Sequence, residues 1–169
     1  VRSVRPRPAP DPVQRFETPP GLQAQVDFAE FRLPWGVRYA LVVVLGYSRL
    51  LWFKFYPRQT MAVLMAGLEE AFAAFGGVPR ELLFDQLKAV VIDDERMSGG
   101  KLLENAQFQR FAAHWGFRIR ACRPYRAKTK GKVERPIGYV RQAFFYGREF
   151  ISDADLNGQS LEWQAQDAN

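Results

Sequence analysis

Gln25-Val26-Asp27-Phe28-Ala29-Glu30-Phe31 alternates with a period of two. That period predicts a β-strand with Val26 and Phe28 on one face, Glu30 following them, and Gln25, Asp27 and Ala29 on the other. Leu33-Pro-Trp-Gly36 reads as a turn. Val37 to Leu45 is apolar on both faces, which predicts a second, central strand. Gly46-Tyr-Ser-Arg49 is a further turn, and Leu50 to Tyr56 a third strand. Connections this short force an antiparallel meander. An ionisable side chain, Asp27, therefore sits in the middle of a strand whose neighbours read as core.

Downstream the period lengthens. Pro57 ends the third strand and Thr60 is a helix N-cap candidate. Met61, Leu64, Met65, Leu68, Phe72 and Phe75 then recur at helical spacing until Gly76-Gly77. Glu69 and Glu70 on this helix read as a solvated face. Leu82-Leu-Phe-Asp85 is a short strand reached through a helix, so it pairs in parallel with the first strand. Residues 86–100 are polar and read as a loop or small hairpin around Asp93 and Asp94. Leu102 to Trp115 is expected as a second helix and Phe117 to Cys122 as a fifth strand. Arg123 to Gly131 is a basic loop, and Lys132 to Tyr146 a third helix. Val133, Ile137, Val140 and Phe144 form its apolar stripe, with Glu134, Gly138 and Arg141 on another face. Pro136 fits only the first turn, which puts the helix start near Glu134. Ser152 with Asp155 caps a last helix.

This order predicts an α/β chain: a five-stranded mixed sheet, three strands antiparallel and two parallel, with helices on both faces. The first and fourth strands lie side by side, so Asp27 and Asp85 become neighbours. Residues 1–22, with six prolines and four arginines, are expected to be an extended linker. Residues 23–150 form the core, and 151–169 a C-terminal helical extension or linker.

The chain has 169 residues, 24 basic and 18 acidic, for a net charge of +6 and a pI of about 9.7. That length supports one self-sufficient core, and that charge calls for an anionic partner, nucleic acid first. The longest apolar run, Tyr39 to Tyr47, is far below the roughly 20 residues of a membrane span. No signal-peptide pattern is present, so a cytoplasmic location is expected. A chain starting at Val1 is expected to be a processed product or an excised fragment. Single Cys122 and single His114 leave no material for an internal disulfide, a multi-cysteine zinc site or a paired-histidine site. His114 reads as an ordinary residue near a helix end. Metal chemistry here has to use carboxylates, which select magnesium or manganese.

Between Asn105 and Arg148 there are eleven Lys/Arg residues and one acid, Glu134. A lone acid in that setting is better explained as a metal ligand than as an ion pair with Lys130 or Arg141, which contributes only ~0–1 kcal/mol when exposed. Asp27 as an edge-strand surface acid is disfavoured by its apolar flanks. Asp85 has competitors in Asp93 and Asp94, and a rigid strand end favours Asp85. Three carboxylates can hold two divalent ions, which activate an attacking oxygen and stabilise a leaving one in phosphodiester chemistry. Arg123, Arg126, Lys128, Lys130, Lys132, Arg135 and Arg141 are the candidate DNA phosphate contacts, with Arg118 and Arg120 just upstream. Tyr125 could stack on an unpaired base or simply pack. Ser98-Gly-Gly-Lys101 lacks the full phosphate-loop spacing.

Residues 23–148 resemble the DDE transposase and retroviral integrase superfamily. Gln25-Val-Asp27-Phe is similar to its first-aspartate strand, and Gly46-Tyr-Ser-Arg-Leu50 to the following hairpin. Phe84-Asp85-Gln-Leu-Lys88 is similar to the second-aspartate turn, with Gln86 where Asn is more usual. Lys130-Gly-Lys-Val-Glu134-Arg-Pro-Ile-Gly-Tyr-Val140, the most specific match, resembles the third-acid helix of IstA-type insertion-sequence transposases. The resemblance implies an RNase H-like core in which Asp27, Asp85 and Glu134 bind two Mg2+ (or Mn2+) ions. It implies hydrolysis at a transposon end followed by strand transfer into target DNA, a homo-oligomer on DNA, and an AAA+ helper ATPase of the IstB type. Forty-eight residues lie between Asp85 and Glu134, more than in the retroviral pattern; the 90–100 segment can hold the surplus. The flanking DNA-binding parts of full-length relatives are not evident, so the chain is expected to be a catalytic core. Two other readings stay open: a non-catalytic basic DNA-binding module, and an RNase H-type nuclease without strand transfer.

Overall fold

A computed structural model describes residues 18–84, 91–94, 102–121 and 134–168, with backbone alone at 91–94, 102–104, 134–135 and 168. The expected meander is present. Strands β1 (Gln23–Leu33), β2 (Gly36–Leu45) and β3 (Leu51–Tyr56) pair antiparallel, with Asp27 opposite Val42 and Val42 opposite Phe53. Helix α1 (Met61–Phe75) follows. The Thr60 hydroxyl accepts from the Val63 amide at 3.3 Å, and Gly76 closes the helix at φ 70°. The chain returns as β4 (Glu81–Phe84), parallel to β1. β5 (Val91–Asp94) and β6 (Leu102–Glu104) form a separate two-stranded sheet. Helix α2 (Ala106–Trp115) leads to β7 (Arg118–Ala121), parallel to β4. The main sheet has the order β3-β2-β1-β4-β7.

One boundary differs from expectation. Leu102 to Glu104 is strand, not the first turn of α2. The Asn105 side chain accepts from the amides of Gln107 and Phe108 at 2.9 and 3.3 Å, so the helix starts only after it. An apolar pair such as Leu102-Leu103 suits either element, and the capping oxygen decides. Helix α3 (Glu134–Tyr139) starts where Pro136 requires and continues as a π-helical segment, Val140–Phe145. Helix α4 (Asp153–Trp163) continues as a π-helical segment, Gln164–Ala168. Ser152 accepts from the Asp155 amide at 3.1 Å, and Asp155 accepts from the Ile151 amide at 3.0 Å, the expected cap.

Strand alternation divides the core between the two sheet faces. Ala24, Val26, Leu41, Val43, Leu82 and Phe84 pack against α1 and α2 through Leu64, Leu68, Phe72 and Phe108. Ala29, Phe31, Ala40, Val42, Phe53 and Phe55 pack against Val140, Phe144, Leu156 and Trp163. The second cluster is aromatic, with Phe53 5.5 Å from Phe144 and 5.9 Å from Trp163 in edge-on contacts. Leu156 and Trp163 bring α4 into this core.

The exposed edge of β3 is closed by side-chain amides rather than by a strand. Asn157 accepts from the Phe55 amide at 2.9 Å and donates to its carbonyl at 3.0 Å. Gln164 makes the same pair with Phe53, both at 2.9 Å. The two amides lie seven residues apart, two helical turns, and so meet alternate residues of the strand. At the other end of α4, Asp153 accepts from Arg38 at 2.7 Å and from Trp35 at 2.9 Å. The Arg38 hydrogen bond, ahead of the one from Trp35, holds the Asp153 carboxyl below the usual carboxylate range. Among the described residues, no helix is long and apolar enough to cross a membrane.

Candidate active site

Asp27 sits half-buried on β1, between β2 and β4 in the middle of the sheet. Its Oδ1 accepts from the Phe28 amide at 2.8 Å, which fixes the carboxylate close to the backbone. Ala29 and Phe31 belong to the aromatic cluster, so alternation puts Asp27 and Gln25 on that same face. The helix that opens at Glu134 packs on this face too, through Val140 and Phe144. Its later residue Arg141 donates to the Glu30 carbonyl at 2.7 Å and lies 4.5 Å over the Phe31 ring. The structure therefore gives Asp27 and the Glu134 helix one side of one sheet.

The second acid has a backbone approach but no described side chain. β1 and β4 run in register up to Val26 opposite Phe84. The next residue along each chain is an acid, Asp27 after Val26 and Asp85 after Phe84. Asp85 lies outside the described residues, as do Arg123, Tyr125, Arg126, Lys128, Lys130 and Lys132; the side chains of Glu134 and Arg135 do too. Among the described residues, no group of three His, Cys, Asp or Glu side chains comes together. The competitors Asp93 and Asp94 pair with Leu103 and Leu102 in the two-stranded sheet, which β1 does not join. His114 is in the last turn of α2, edge-on to the Trp115 ring, as an ordinary residue would be.

Pattern reading passed over Gln25, which the structure makes a candidate site residue. It is 3% exposed, and among the described residues its buried Oε1 has no hydrogen-bond partner. An unpaired buried amide oxygen costs about 1–3 kcal/mol, so a donor or cation there has something to gain. Gln25 is two residues before Asp27 on the same face. Oxygen-only donors in that position suit a hard divalent cation and no soft one. Nothing short of burial could have distinguished Gln25 from any polar strand residue.

An integrase core domain model matches residues 17–127. The chain belongs to the integrase core domain family. Among its relatives is a putative transposase for insertion sequence element IS5376 from Geobacillus stearothermophilus. It is 42% identical over 160 residues, covering 92% of this chain and 39% of the relative. The transposase of IS21 from Pseudomonas aeruginosa is 38% identical over 157 residues, covering 89% of this chain and 39% of that protein. The chain thus spans about two-fifths of the length of these relatives. The HTLV-2 integrase catalytic core domain, solved in complex with magnesium, superposes with a TM-score of 0.65 at 15% identity. That match covers 89% of this chain and 88% of that one. A chain of the simian T-cell lymphotropic virus intasome gives the same TM-score at 19% identity, over 89% and 50%. These likenesses establish the expected RNase H-like integrase fold.

Proposed function

We propose that this integrase core acts as the catalytic domain of a DNA transposase, hydrolysing a phosphodiester at a transposon end and transferring the freed strand into target DNA. The observation that carries this reading is the position of Asp27. It lies one residue beyond the β1–β4 register, on the face where the Glu134 helix packs. Asp85 directly follows the last paired residue of β4. Seven residues of helix, from Arg141 back to Glu134, rise about 10 Å. Four residues of strand, from Phe31 back to Asp27, span about 13 Å. The two lengths differ by about 3 Å, within the reach of a glutamate side chain, so a helix lying along β1 would bring Glu134 close to level with Asp27.

In this reading Asp27, Asp85 and Glu134 hold divalent metal, two Mg2+ ions or Mn2+ in their place, and the buried Gln25 oxygen lies two residues from Asp27 on the same strand face. Bound metal lowers the pKa of the attacking oxygen and stabilises the leaving one. The protein's own part is to fix Asp27 on a central strand and to carry the other two acids on separate elements, after β4 and at the start of α3. Their mutual repulsion is the strain that cation binding relieves. Arg123, Arg126, Lys128, Lys130, Lys132, Arg135 and Arg141 position the phosphate backbone. A magnesium complex of the HTLV-2 core supports the cofactor assignment. The intasome relative supports assembly of several copies on DNA. The IstB-type helper rests on the sequence resemblance alone.

Asp27→Asn and Glu134→Gln each remove a charge and keep the side-chain shape. Both are expected to abolish Mg2+-dependent strand transfer and leave DNA binding nearly intact. Full joining by either variant would defeat the assignment. Cleaved fragments without joined strands would select the nuclease, and binding without Mg2+-dependent chemistry the non-catalytic module.

A further inference from the structure

β4 and β7 are parallel strands, and parallel strands are ordinarily covered on both faces. Here the two faces differ sharply. Ala24, Val26, Leu82, Phe84 and Ile119 point to one side and pack under α1 and α2. The other side carries Gln23, Gln25 and Asp27 on β1, Glu81 and Leu83 on β4, and Arg118 and Arg120 on β7. The registers Gln23–Glu81–Arg118 and Gln25–Leu83–Arg120 line these residues up across the strands. No residue of β4 or β7 joins the aromatic cluster that covers the rest of this face. Arg118 and Arg120 are exposed, the Arg120 side chain by 55%. Glu81 accepts from Gln23 at 2.7 Å and from Arg120 at 3.1 Å.

We propose that this shelf is a DNA-backbone subsite, in which Arg118 and Arg120 each contact a phosphate of a strand that runs sideways from Asp27. β7 is two strands from β1, about 10 Å across the sheet. Arg118 and Arg120 are two residues apart, about 7 Å along the edge strand and on one face. Guanidiniums suit phosphate by geometry as well as charge. The Glu81 ion pair orients Arg120 at the edge strand. The face is charged, so it does not fit an apolar partner. This inference rests on the DNA-processing reading above and adds the path of the substrate.

The test is DNA binding without metal, so that it is independent of catalysis. Binding of the chain to duplex DNA is measured from low to high salt for the parent, for Arg118→Ala/Arg120→Ala, and for the control Arg58→Ala/Arg110→Ala. The control removes the same charge from exposed positions on other elements. Each lost phosphate contact lowers the slope of log K against log salt by about 0.9. The shelf variant is expected to lose about 1.8 of slope, by the same amount on unrelated sequences, and the control far less. Arg118→Lys/Arg120→Lys should recover most of the loss, which a purely structural role for Arg120 would not predict. An unchanged slope in the folded shelf variant, or an equal loss in the control, overturns the subsite. So does a shelf variant that alters self-association in sedimentation while its DNA slope stays put. If those results appear while Asp27→Asn still abolishes strand transfer, the subsite falls and the function stands. A parent chain that fails to bind DNA at any salt removes both.

Discussion

Gln164 closes the β3 edge, and replacing it with Leu tests how much that closure contributes. The residue is 7% exposed and Phe53 is 1% exposed, so water has little access to the bonds between them. Its Oε1 accepts from the Phe53 amide, and its Nε2 donates to the carbonyls of Phe53 and Ser160, all at 2.9–3.0 Å. Gln164→Leu has similar bulk and leaves the Phe53 N–H and C=O without partners. Each buried unsatisfied group costs about 1–3 kcal/mol. The Ser160 carbonyl adds little, because it belongs to a helix. Added leucine burial offsets part of the cost, so the expected loss is about 2–4 kcal/mol. For a chain of this size that is a fall in Tm of roughly 4–16 °C. Urea unfolding followed by circular dichroism reads the change, with an unaltered m-value as evidence that the unfolded state is the same. Gln164→Glu sharpens the test. Ionised, it can accept from Phe53 but cannot donate, so its penalty should shrink as the pH falls and the carboxyl becomes a donor. A Gln164→Leu cost under about 0.5 kcal/mol, the range of an ordinary surface change, would refute the role.

Two more perturbations follow from close packing and burial. A Cβ at Gly67 would collide with the buried Leu41 side chain and come within 3.0 Å of the Tyr56 hydroxyl. Gly67→Ala should therefore cost about 1–3 kcal/mol from overpacking, against a helix-propensity gain of about 1 kcal/mol, for net destabilisation by urea titration. Among the described residues the buried Tyr56 hydroxyl has no hydrogen-bond partner, and burial, then the Glu70 charge, raises its pKa far above the usual phenol range. A raised value means that the neutral phenol stabilises the fold fully below the ordinary pKa of about 10, and that this contribution is lost as pH climbs toward the raised one. Tyr56→Phe should be neutral or stabilising at pH 7 and should flatten the alkaline fall; parallel curves for parent and variant in urea melts from pH 8 to 11 would contradict this.

Local periodicity was enough to place the three-strand meander, α1 with its Thr60 cap and Gly76 stop, and the start of α3 near Glu134. Those elements have strong local signals, and Pro136 leaves α3 little choice of start. The parallel pairing of β4 with β1 was also legible, because a strand reached through a helix returns on the same side. The Asp27 position followed from both. The Leu102–Glu104 strand was not legible, since two leucines before a polar cap suit helix and strand alike. Three features needed the folded chain. Gln25 becomes a site candidate only through its burial, which depends on residues packed over β1 from elsewhere. Asn157 and Gln164 find the β3 edge only after more than a hundred residues bring α4 back to it. The charged shelf exists because registers set by hydrogen bonding put Arg118 and Arg120 on the face of Asp27 and Ile119 on the other. A side chain's alternation is written in its own strand, but which face is left open depends on what the rest of the chain covers.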